Sequence, residues 1–457
     1  MYRKKYHIYF VGIGGIGMSG IAELLLNLGY KVSGSDIKSS GITRRLESLG
    51  GTIYIGHSGD QIRGADVVVI SSAIKKGNPE VEAAYNSSIP VIPRAEMLAE
   101  LMRLKYSIAV AGAHGKTSTT SIIASVLGEG GLDPTVVIGG RLNSIGTNAV
   151  LGRGEYIVAE ADESDGSFLK FSPTIAVVTN IDKEHLDFYK DLDEIKKVFL
   201  DFIDRIPFYG LAVLCLDNEE IQEIIPEIKK RFTTYGLNKQ ADFQARDVVF
   251  SGPTSRFSVF HHEKRLGGIM LNLPGIHNVN NAMASVAVGL ELGISFQIIK
   301  KALETHQGVQ RRLQLKGEKN GISIMDDYGH HPTEIKTTLT AARESWPDRR
   351  LVVVFQPHRY TRTRALFSEF TRSFYQSDYL VVLPVYAAGE EEIEGVDSDS
   401  ICEGIKAHGH KNVICVKDHQ EAALVVKETL KEKDILLTLG AGDVWMVGEQ
   451  VLRDMKS

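Results

Sequence analysis

The stretch AVAGAHGKTSTTSII, residues 109–123, decides the fold class of the central part of the chain. An apolar run leads into Gly112, Gly115 and Lys116, and a helix-like segment follows directly. Glycines let backbone amides turn toward a polyphosphate, and the start of a helix adds partial positive charge. The pattern therefore predicts a strand, a phosphate-binding turn and a helix of an α/β domain.

Two side chains of this turn have expected tasks. Lys116 would neutralise the β and γ phosphates of ATP, and the Thr117 hydroxyl would bind Mg2+. The loop is a shorter variant of GxxxxGK[ST], because Val110 stands where the first glycine would fall. A GKT tripeptide also occurs in ordinary loops before helices, but the strand before it and the helix after it favour ATP binding.

A magnesium-phosphate site needs hard oxygen ligands, which usually come from the ends of neighbouring parallel strands. Glu160 ends the strand-like run YIVAE, and His185 follows the next one in TNIDKEHLD. We expect Glu160 to bind Mg2+, and His185 to serve a second metal position or its water shell. Mn2+ is an alternative to Mg2+. In isolation, such an acidic cluster would be a solvated surface and the histidine structural.

A second glycine loop, GIGGIG at residues 12–17, follows a strand and opens a helix, with Asp36 at the end of the next strand. This pattern is typical of dinucleotide-binding domains, so a nicotinamide-dependent dehydrogenase is the rival interpretation. The loop would suit any pyrophosphate. Ser71, at a further strand end, would complete the same pocket.

The alternation of apolar runs and helical patterns predicts three α/β domains, at residues 1–104, 105–316 and 317–457. The first and third are expected to be Rossmann-like. The second is expected to be a phosphate-loop domain with a mostly parallel sheet, and residues 242–273 are expected to form antiparallel hairpins. A chain of 457 residues is long enough for several cores.

Composition excludes several classes of function. A formal net charge of -5 gives no basic surface for nucleic acid, and no apolar run approaches the roughly 20 residues of a membrane span. The three cysteines lack CxxC spacing, which speaks against a disulfide framework or a zinc site and favours the reducing cytoplasm. We expect a monomer or a homodimer.

Nine ordered motifs extend over essentially the whole chain and resemble the Mur ligase family. They are GIGGIGMSGIA at 12–22, AGAHGKTST at 111–119, EADESD at 160–165, TNIDKEHLD at 179–187, GIHNVNNA at 275–282, QRRLQ at 310–314, DDYGHHPTE at 326–334, QPHRYTRTR at 356–364 and GAGDVW at 440–445.

The resemblance implies that ATP and Mg2+ drive amide formation between the carboxylate of UDP-N-acetylmuramate and L-alanine, through an acyl phosphate. Two alternatives stay open beside the dehydrogenase. One is the family branch that reattaches a recycled tripeptide to the same UDP-sugar, although the run HRYTRTR favours the alanine branch. The other is a nucleotide-switched binding module without chemistry of its own.

The same resemblance implies the functional residues. Four are catalytic, namely Lys116, Glu160, His185 and Arg312, and the metal ligands are Thr117, Glu160 and His185. ATP is expected at Gly112, His114, Gly115, Lys116, Thr117, Ser118, Asn278, Asn281, Arg312 and Asp327, with both asparagines on its adenine side. The UDP-sugar is expected at Gly14, Gly15, Ile16, Gly17, Met18, Ser19, Asp36 and Ser71. The amino acid is expected at Tyr328, His330, Arg359 and Arg362.

Three of these positions, and Leu200 in addition, carry a further expectation. Asn278 has a simpler interpretation as the N-cap of the following helix. Arg359 and Arg362 suit an α-carboxylate, although an arginine-rich loop can serve solubility alone. Leu200 stands where sister ligases have a carbamylated lysine, so no carbamate is expected.

Overall fold

The computed structural model describes residues 6–71, 73–138, 149–164, 166–185 and 188–455, with Ile16 described by its backbone alone. The chain divides into two compact units. The first consists of Met1–Arg246, Ser258–Ile269 and Asn280–His306, and the second of Asp247–Phe257, Met270–Val279 and Gln307–Ser457.

The amino-terminal part of the first unit contains five strands and four α-helices. They are β1 (His7–Val11), α1 (Ile16–Asn27), β2 (Lys31–Asp36), α2 (Gly41–Ser48), β3 (Thr52–Ile55), β4 (Val67–Ile70), α3 (Pro79–Asn86), β5 (Val91–Pro93) and α4 (Arg94–Met102). The strands form a parallel sheet in the order β3-β2-β1-β4-β5. The order of strands along the sheet reverses between β1 and β4, and such a switch point is where open α/β sheets bind ligands.

Among the described residues, the middle of the chain contains ten strands and five α-helices. They are β6 (Tyr106–Ala111), α5 (Lys116–Glu129), β7 (Thr135–Val137), β8 (Ala149–Val150), β9 (Tyr156–Glu160), β10 (Ile175–Val178), α6 (Leu192–Asp204), β11 (Leu211–Cys215), α7 (Glu219–Ile224), β12 (Phe232–Gly236), β13 (Phe243–Ser251), β14 (Thr254–His261), β15 (Lys264–Leu271), α8 (Ile276–Glu291) and α9 (Phe296–Thr305).

These strands form one sheet in the order β15-β14-β13-β12-β11-β10-β6-β9-β7-β8. The strands from β12 to β9 run parallel, whereas β8 pairs antiparallel with β7. Two-residue turns join β13, β14 and β15, and such short turns connect only antiparallel neighbours. The predicted hairpins at residues 242–273 are therefore present.

The carboxyl-terminal part contains six strands and six helices. They are β16 (Gln314–Lys319), β17 (Ile322–Asp327), α10 (Pro332–Ser345), β18 (Leu351–Phe355), α11 (Tyr360–Ala365), α12 (Phe367–Phe370), β19 (Tyr379–Val382), α13 (Ser398–Ala407), β20 (Val413–Cys415), α14 (His419–Thr429), β21 (Ile435–Leu439) and α15 (Trp445–Asp454). The order is β16-β17-β21-β18-β19-β20, and only β16 is antiparallel to its neighbour.

Continuous apolar runs account for the central strands. LVVVF in β18 and LAVLC in β11 are buried along their whole length, as expected where helices cover both faces of a parallel sheet. The loops that follow such strands are free to carry polar residues at one edge. The α/β fold class with three mostly parallel sheets is therefore confirmed, while the boundaries at 104 and 316 stay predictions. The second boundary falls inside β16.

One expectation from the cysteines is wrong. Cys402 in α13 and Cys415 at the end of β20 form a disulfide. The sequence shows only that they are 13 residues apart, whereas the packing of α13 beside β20 brings the two side chains together. In the described parts of the chain, no helix is both long enough and apolar enough to cross a bilayer.

Candidate active site

The glycine-rich turn after β6 is held by the two residues that follow β10. The Thr179 hydroxyl donates to the His114 carbonyl over 2.6 Å, and the His114 amide donates to Asn180 Oδ1 over 2.8 Å. Gly112 has a φ of +133°, and a Cβ there would lie 2.1 Å from Thr179 Oγ1. Both conformation and space therefore require glycine at this position.

Asn281 lies against the same turn. A Cβ on Gly115, whose φ is +82°, would lie 3.0 Å from Asn281 Oδ1. The Thr119 hydroxyl donates to that amide oxygen over 3.0 Å. Asn281 is thus placed beside the phosphate loop and the first turn of α5, where its oxygen helps to hold the loop against α8.

Lys116 is enclosed by acceptors. Its ammonium donates to the Gly112 carbonyl over 2.6 Å and to the two oxygens of Glu163 over 2.8 and 2.9 Å. Glu163 is only 3% exposed. Burial disfavours the charge on Lys116, but the Glu163 and Asp162 carboxylates outweigh that effect and raise the pKa of Lys116. The lysine is therefore held charged within the loop.

A group of potential metal ligands adjoins this ion pair. His185 Nε2 lies 3.8 Å from Glu163 Oε1 and 3.6 Å from Glu184 Oε2. The ligand atoms of these three side chains lie within 4.8 Å of one another. Carboxylate oxygens suit Mg2+, and the added imidazole also suits Mn2+. The donor set therefore fits a divalent cation next to the phosphate loop.

The other predicted metal residues lie near this group. Thr117 is the second residue of α5, and Glu160 ends β9, where it is in register with Val110 of β6. Thr117 and the adjacent Ser118 are both buried. The structure thus brings Thr117 and Glu160 to the same edge of the sheet, and their assignment as Mg2+ ligands stays a prediction.

The N-cap interpretation of Asn278 is wrong. Helix α8 begins at Ile276, so Asn278 lies in its first turn. The Asn278 side-chain amide donates to the Pro274 carbonyl over 2.8 Å, and its backbone amide bonds to Gly275. The side chain therefore fastens the chain entering the helix, and its contact with ATP stays a prediction.

The first glycine loop is fastened by Asp36. The Gly14 amide donates to Asp36 Oδ2 over 2.8 Å, and a Cβ on Gly14 would lie 2.8 Å from that oxygen. Asp36 ends β2, as the sequence predicts. Since this carboxylate oxygen already bonds the loop, Asp36 has a structural role whichever nucleotide the loop binds.

The remaining predicted sugar-site residues surround the start of α1. Gly15 precedes the helix and accepts from the amides of Met18 and Ser19, while Ile16 contributes its described backbone as the first residue. Met18 is 2% exposed, so its side chain belongs to the core and only its backbone is suited to ligand binding. Ser71 directly follows β4, at the same edge of the sheet.

In the second unit, Asp327 shapes the turn after β17. Its two oxygens accept from the amides of Leu313 and Gly329, each over 2.7 Å, and burial raises the pKa of Asp327. The Arg312 guanidinium lies 5.4 Å from the centre of the Tyr328 ring and 3.7 Å from Glu334. The predicted nucleotide residues Arg312 and Asp327 thus lie near the predicted amino-acid residue Tyr328.

An aromatic cluster follows in the same unit. The His330 ring centre lies 5.4 Å from that of Tyr328 and 5.7 Å from that of His358, and His358 stacks on Tyr386 at 5.5 Å. Burial lowers the pKa of His330 to about 3 and that of His358 to about 4. Both imidazoles are therefore neutral at physiological pH.

Two arginines complete this cluster. Arg359 Nε lies 2.9 Å from Glu390 Oε1, and an Arg362 Nη lies 3.4 Å from His358 Nδ1. Arg359 has a φ of +73°, an uncommon conformation for a residue with a side chain, and such outliers are found most often at functional sites. His330, Arg359 and Arg362 therefore lie around His358, and Tyr328 adjoins His330.

Sequence reasoning missed four residues of these groups: Glu163, Glu184, His358 and Glu390. The motifs EADESD and TNIDKEHLD contain the first two, but several acids in a row do not reveal which one faces Lys116. His358 lies in the quoted run QPHRYTRTR. Glu390 carries no local signal, because it is 31 residues beyond the arginine that it pairs with.

Three family models match successive parts of the chain. The Mur ligase family, catalytic domain, matches residues 7–106, the Mur ligase middle domain matches residues 110–289, and the Mur ligase, glutamate ligase domain, matches residues 311–442. Together they cover both glycine loops and the arginine cluster.

Similar proteins span the full length. The chain is 69% identical over 452 residues to the UDP-N-acetylmuramate--L-alanine ligase of Desulfosudis oleivorans, with 99% of each chain covered. It resembles the structure of the UDP-N-acetylmuramate-alanine ligase of Thermotoga maritima, with a TM-score of 0.83, 30% identity and 98% of each chain covered. A murein peptide ligase of Psychrobacter arcticus shares the fold, with a TM-score of 0.70, 24% identity and 99% and 100% coverage.

Proposed function

The chain belongs to the Mur ligase family, and we propose that it joins L-alanine to the carboxylate of UDP-N-acetylmuramate at the expense of ATP in peptidoglycan precursor synthesis. The observation that carries this proposal is 69% identity over 99% of the chain to a relative named for that activity. The geometry agrees, since a partly buried, charged lysine lies in a phosphate loop and a second glycine loop suits a diphosphate.

The chemistry follows from the poor electrophilicity of a carboxylate. A carboxylate oxygen attacks the γ phosphorus of ATP, the bond to the β–γ bridging oxygen breaks, and ADP leaves. The amine of alanine then attacks the acyl carbon, inorganic phosphate leaves with the electron pair of the C–O bond, and the nitrogen loses a proton. The protein has to position the reactants and exclude water.

Within the first unit, the phosphate loop supplies the groups for phosphoryl transfer. Lys116 is charged and only partly exposed, so its ammonium can stabilise the negative charge that develops on the transferred phosphoryl group. The two carboxylate oxygens of Glu163 accept hydrogen bonds from this ammonium. The triphosphate therefore has to take over the contacts that Glu163 makes to Lys116.

For the metal we propose Mg2+, with two ions, and Mn2+ as a substitute. Thr117 at the start of α5 and Glu160 at the end of β9 would hold one ion, and His185 would serve the other. When bound, the ions would neutralise phosphate charge and orient the γ-phosphoryl group. Leu200 lies in α6, where the sequence predicts no carbamylated lysine.

For the amino acid, we propose that Arg359 and Arg362 clamp the α-carboxylate, because a guanidinium fork matches two carboxylate oxygens. Tyr328 and neutral His330 would bound the side-chain pocket. A pocket that admits a methyl group discriminates against one more methylene or hydroxyl by only about 1–3 kcal/mol. Some turnover of glycine or serine is therefore expected.

Three alternatives make different predictions. This chain shares its fold with a murein peptide ligase, so the fold alone is compatible with the tripeptide-recycling alternative. The high-identity relatives, however, carry the alanine ligase name. The dehydrogenase and the nucleotide switch find no support among the similar proteins described above.

We also propose a cytoplasmic location as a monomer or homodimer, since ATP and UDP-sugars are cytoplasmic metabolites.

One assay tests the proposed function and its three alternatives together. Purified protein, ATP and Mg2+ are incubated with UDP-N-acetylmuramate and alanine, glycine, serine or the tripeptide, and phosphate release and product mass are followed. We expect phosphate release that depends on both partners, with the alanyl product as the main species. A preference for the tripeptide would overturn the proposal, and so would phosphate release without the sugar. Oxidation of NADH without ATP turnover would also overturn it.

A further inference from the structure

Arg94 lies over the first glycine loop. It is the first residue of α4 and directly follows β5, at the carboxyl edge of the five-stranded sheet. A Cβ placed on Gly17 would lie 3.2 Å from both Cδ and an Nη of Arg94. The arginine side chain therefore covers the loop that the sequence assigns to the UDP diphosphate.

The same guanidinium reaches toward the ATP loop. An Arg94 Nη lies 3.6 Å from Asp162 Oδ2, and Asp162 is adjacent to Glu163, which holds Lys116. A second pair, Lys170 with Glu96 at 2.8 Å, also ties α4 to the central part of the chain.

The ion pair of Arg94 is long compared with a structural pair in the same sheet region. Arg45 engages Glu23 through two nitrogens at 3.0 and 2.7 Å, which is a bidentate arrangement. Strong charge-assisted bonds measure about 2.7–2.9 Å, so the contact at 3.6 Å is a loose one. Within the described parts of the chain, Asp162 is the carboxylate paired with Arg94.

A loose cation above a glycine loop suits an anionic ligand. The loop offers backbone amides and a helix start, which attract phosphate but carry only partial charge. A diphosphate brings about two negative charges to this edge of the sheet, and a guanidinium fork matches two phosphate oxygens. The side chain is 30% exposed, so it can move from Asp162 to a ligand without opening the core.

We propose that Arg94 binds the diphosphate of the UDP-sugar and that Asp162 holds this guanidinium while the sugar site is empty. The inference deepens the proposed ligase function by naming a binding residue for its nucleotide-sugar substrate. Because Asp162 is adjacent to the carboxylate that holds Lys116, the exchange of partners by Arg94 also couples the two glycine loops.

Binding of UDP tests the proposal without requiring ligase turnover. Calorimetry compares wild type, Arg94→Ala and Arg94→Lys with UDP, UDP-N-acetylglucosamine and UDP-N-acetylmuramate. We expect Arg94→Ala to weaken all three about tenfold to hundredfold, because all three contain the diphosphate. Arg94→Lys should recover part of the affinity, since it keeps the charge but loses the fork.

The kinetic readout separates binding from a general loss of structure. In Arg94→Ala, the KM for UDP-N-acetylmuramate should rise while the KM values for ATP and alanine stay near wild type. Arg103→Ala is the matched control, because Arg103 caps the same helix and pairs with Glu100 on the exposed surface. Asp162→Asn should bind UDP a few-fold more tightly, because the competing carboxylate is gone.

Each contrary result has a distinct meaning. Wild-type UDP affinity in Arg94→Ala would overturn the inference while leaving the ligase function intact. Weakened binding of UDP-N-acetylmuramate alone would assign Arg94 to the sugar carboxylate and overturn the diphosphate contact. Unchanged or weaker UDP binding in Asp162→Asn would contradict the exchange of partners. A wild-type protein that binds none of the three nucleotides would instead contradict the proposed function itself.

Discussion

The carboxylate of Glu163 holds the ammonium of Lys116 through both of its oxygens, at 2.8 and 2.9 Å. The residue expected to contact the triphosphate is therefore already paired within the protein. This pair compensates the charge of a lysine side chain that is only 18% exposed, since an unpaired charge shielded from water is costly. At the proposed ATP site, phosphate would replace one anionic partner of Lys116 by another.

Glu163→Gln should destabilise the ligand-free protein by up to about 3 kcal/mol, because it leaves the Lys116 charge without its carboxylate. ATP should stabilise this variant more than wild type, since phosphate restores a partner for the ammonium. Thermal unfolding with and without ATP measures both effects. Glu155→Gln, an exposed change just before β9, is the control. Equal unfolding temperatures for Glu163→Gln and wild type would contradict a stabilising role for the pair.

Lys116→Ala should lower turnover by about a hundredfold or more, because it removes the fixed charge aimed at the transferred phosphoryl group. Its affinity for UDP should stay close to wild type, since the nucleotide-sugar has its own glycine loop. Phosphate release and calorimetry with UDP provide the two readouts. Parallel loss of turnover and UDP affinity would contradict separate sites for ATP and the sugar nucleotide.

Arg359→Ala should raise the KM for alanine at least about tenfold, because a charge-assisted contact to a carboxylate is lost. The KM values for ATP and UDP-N-acetylmuramate should change little. Initial rates at varied alanine concentration measure this effect. Arg372→Ala, an exposed arginine beyond α12, serves as the matched control. An unchanged KM for alanine would remove Arg359 from the amino-acid site.

Acid should destabilise the fold partly through His306. Burial lowers its pKa to about 4, and its Nδ1 lies 2.9 Å from the Ser125 hydroxyl. Between pH 6.5 and pH 4 the unfolded chain binds a proton there that the folded chain does not, so stability falls as pH falls. The full contribution, roughly 3 kcal/mol at most, is present above pH 6.5.

His306→Gln should therefore flatten the dependence of unfolding free energy on pH between 6.5 and 4. Denaturant titrations at several pH values measure the slope. His262→Gln, at an exposed histidine, is the control for the histidine-to-glutamine change itself. A wild-type slope in His306→Gln would show that this histidine is protonated equally in both states.

The local sequence pattern predicted much of the fold. Buried parallel strands need continuous apolar residues, and the glycine loops need a positive φ at Gly112 and free space at Gly14. Strands β6 and β1 and the loops that follow them could therefore be predicted from the sequence. The disulfide was not readable, because it depends on how α13 packs beside β20. The start of α8 was misplaced by three residues, since Asn278 resembles a capping residue.

The sequence by itself determined the strand and helix periodicity, both glycine loops and the motif set of the family, because these depend on neighbouring residues. Only the tertiary structure decided which carboxylate faces Lys116, that Arg94 covers Gly17, and that Glu390 pairs with Arg359. Such pairings join strand ends and loops that are distant in sequence. They are set by the order of strands in a sheet, which local composition does not encode.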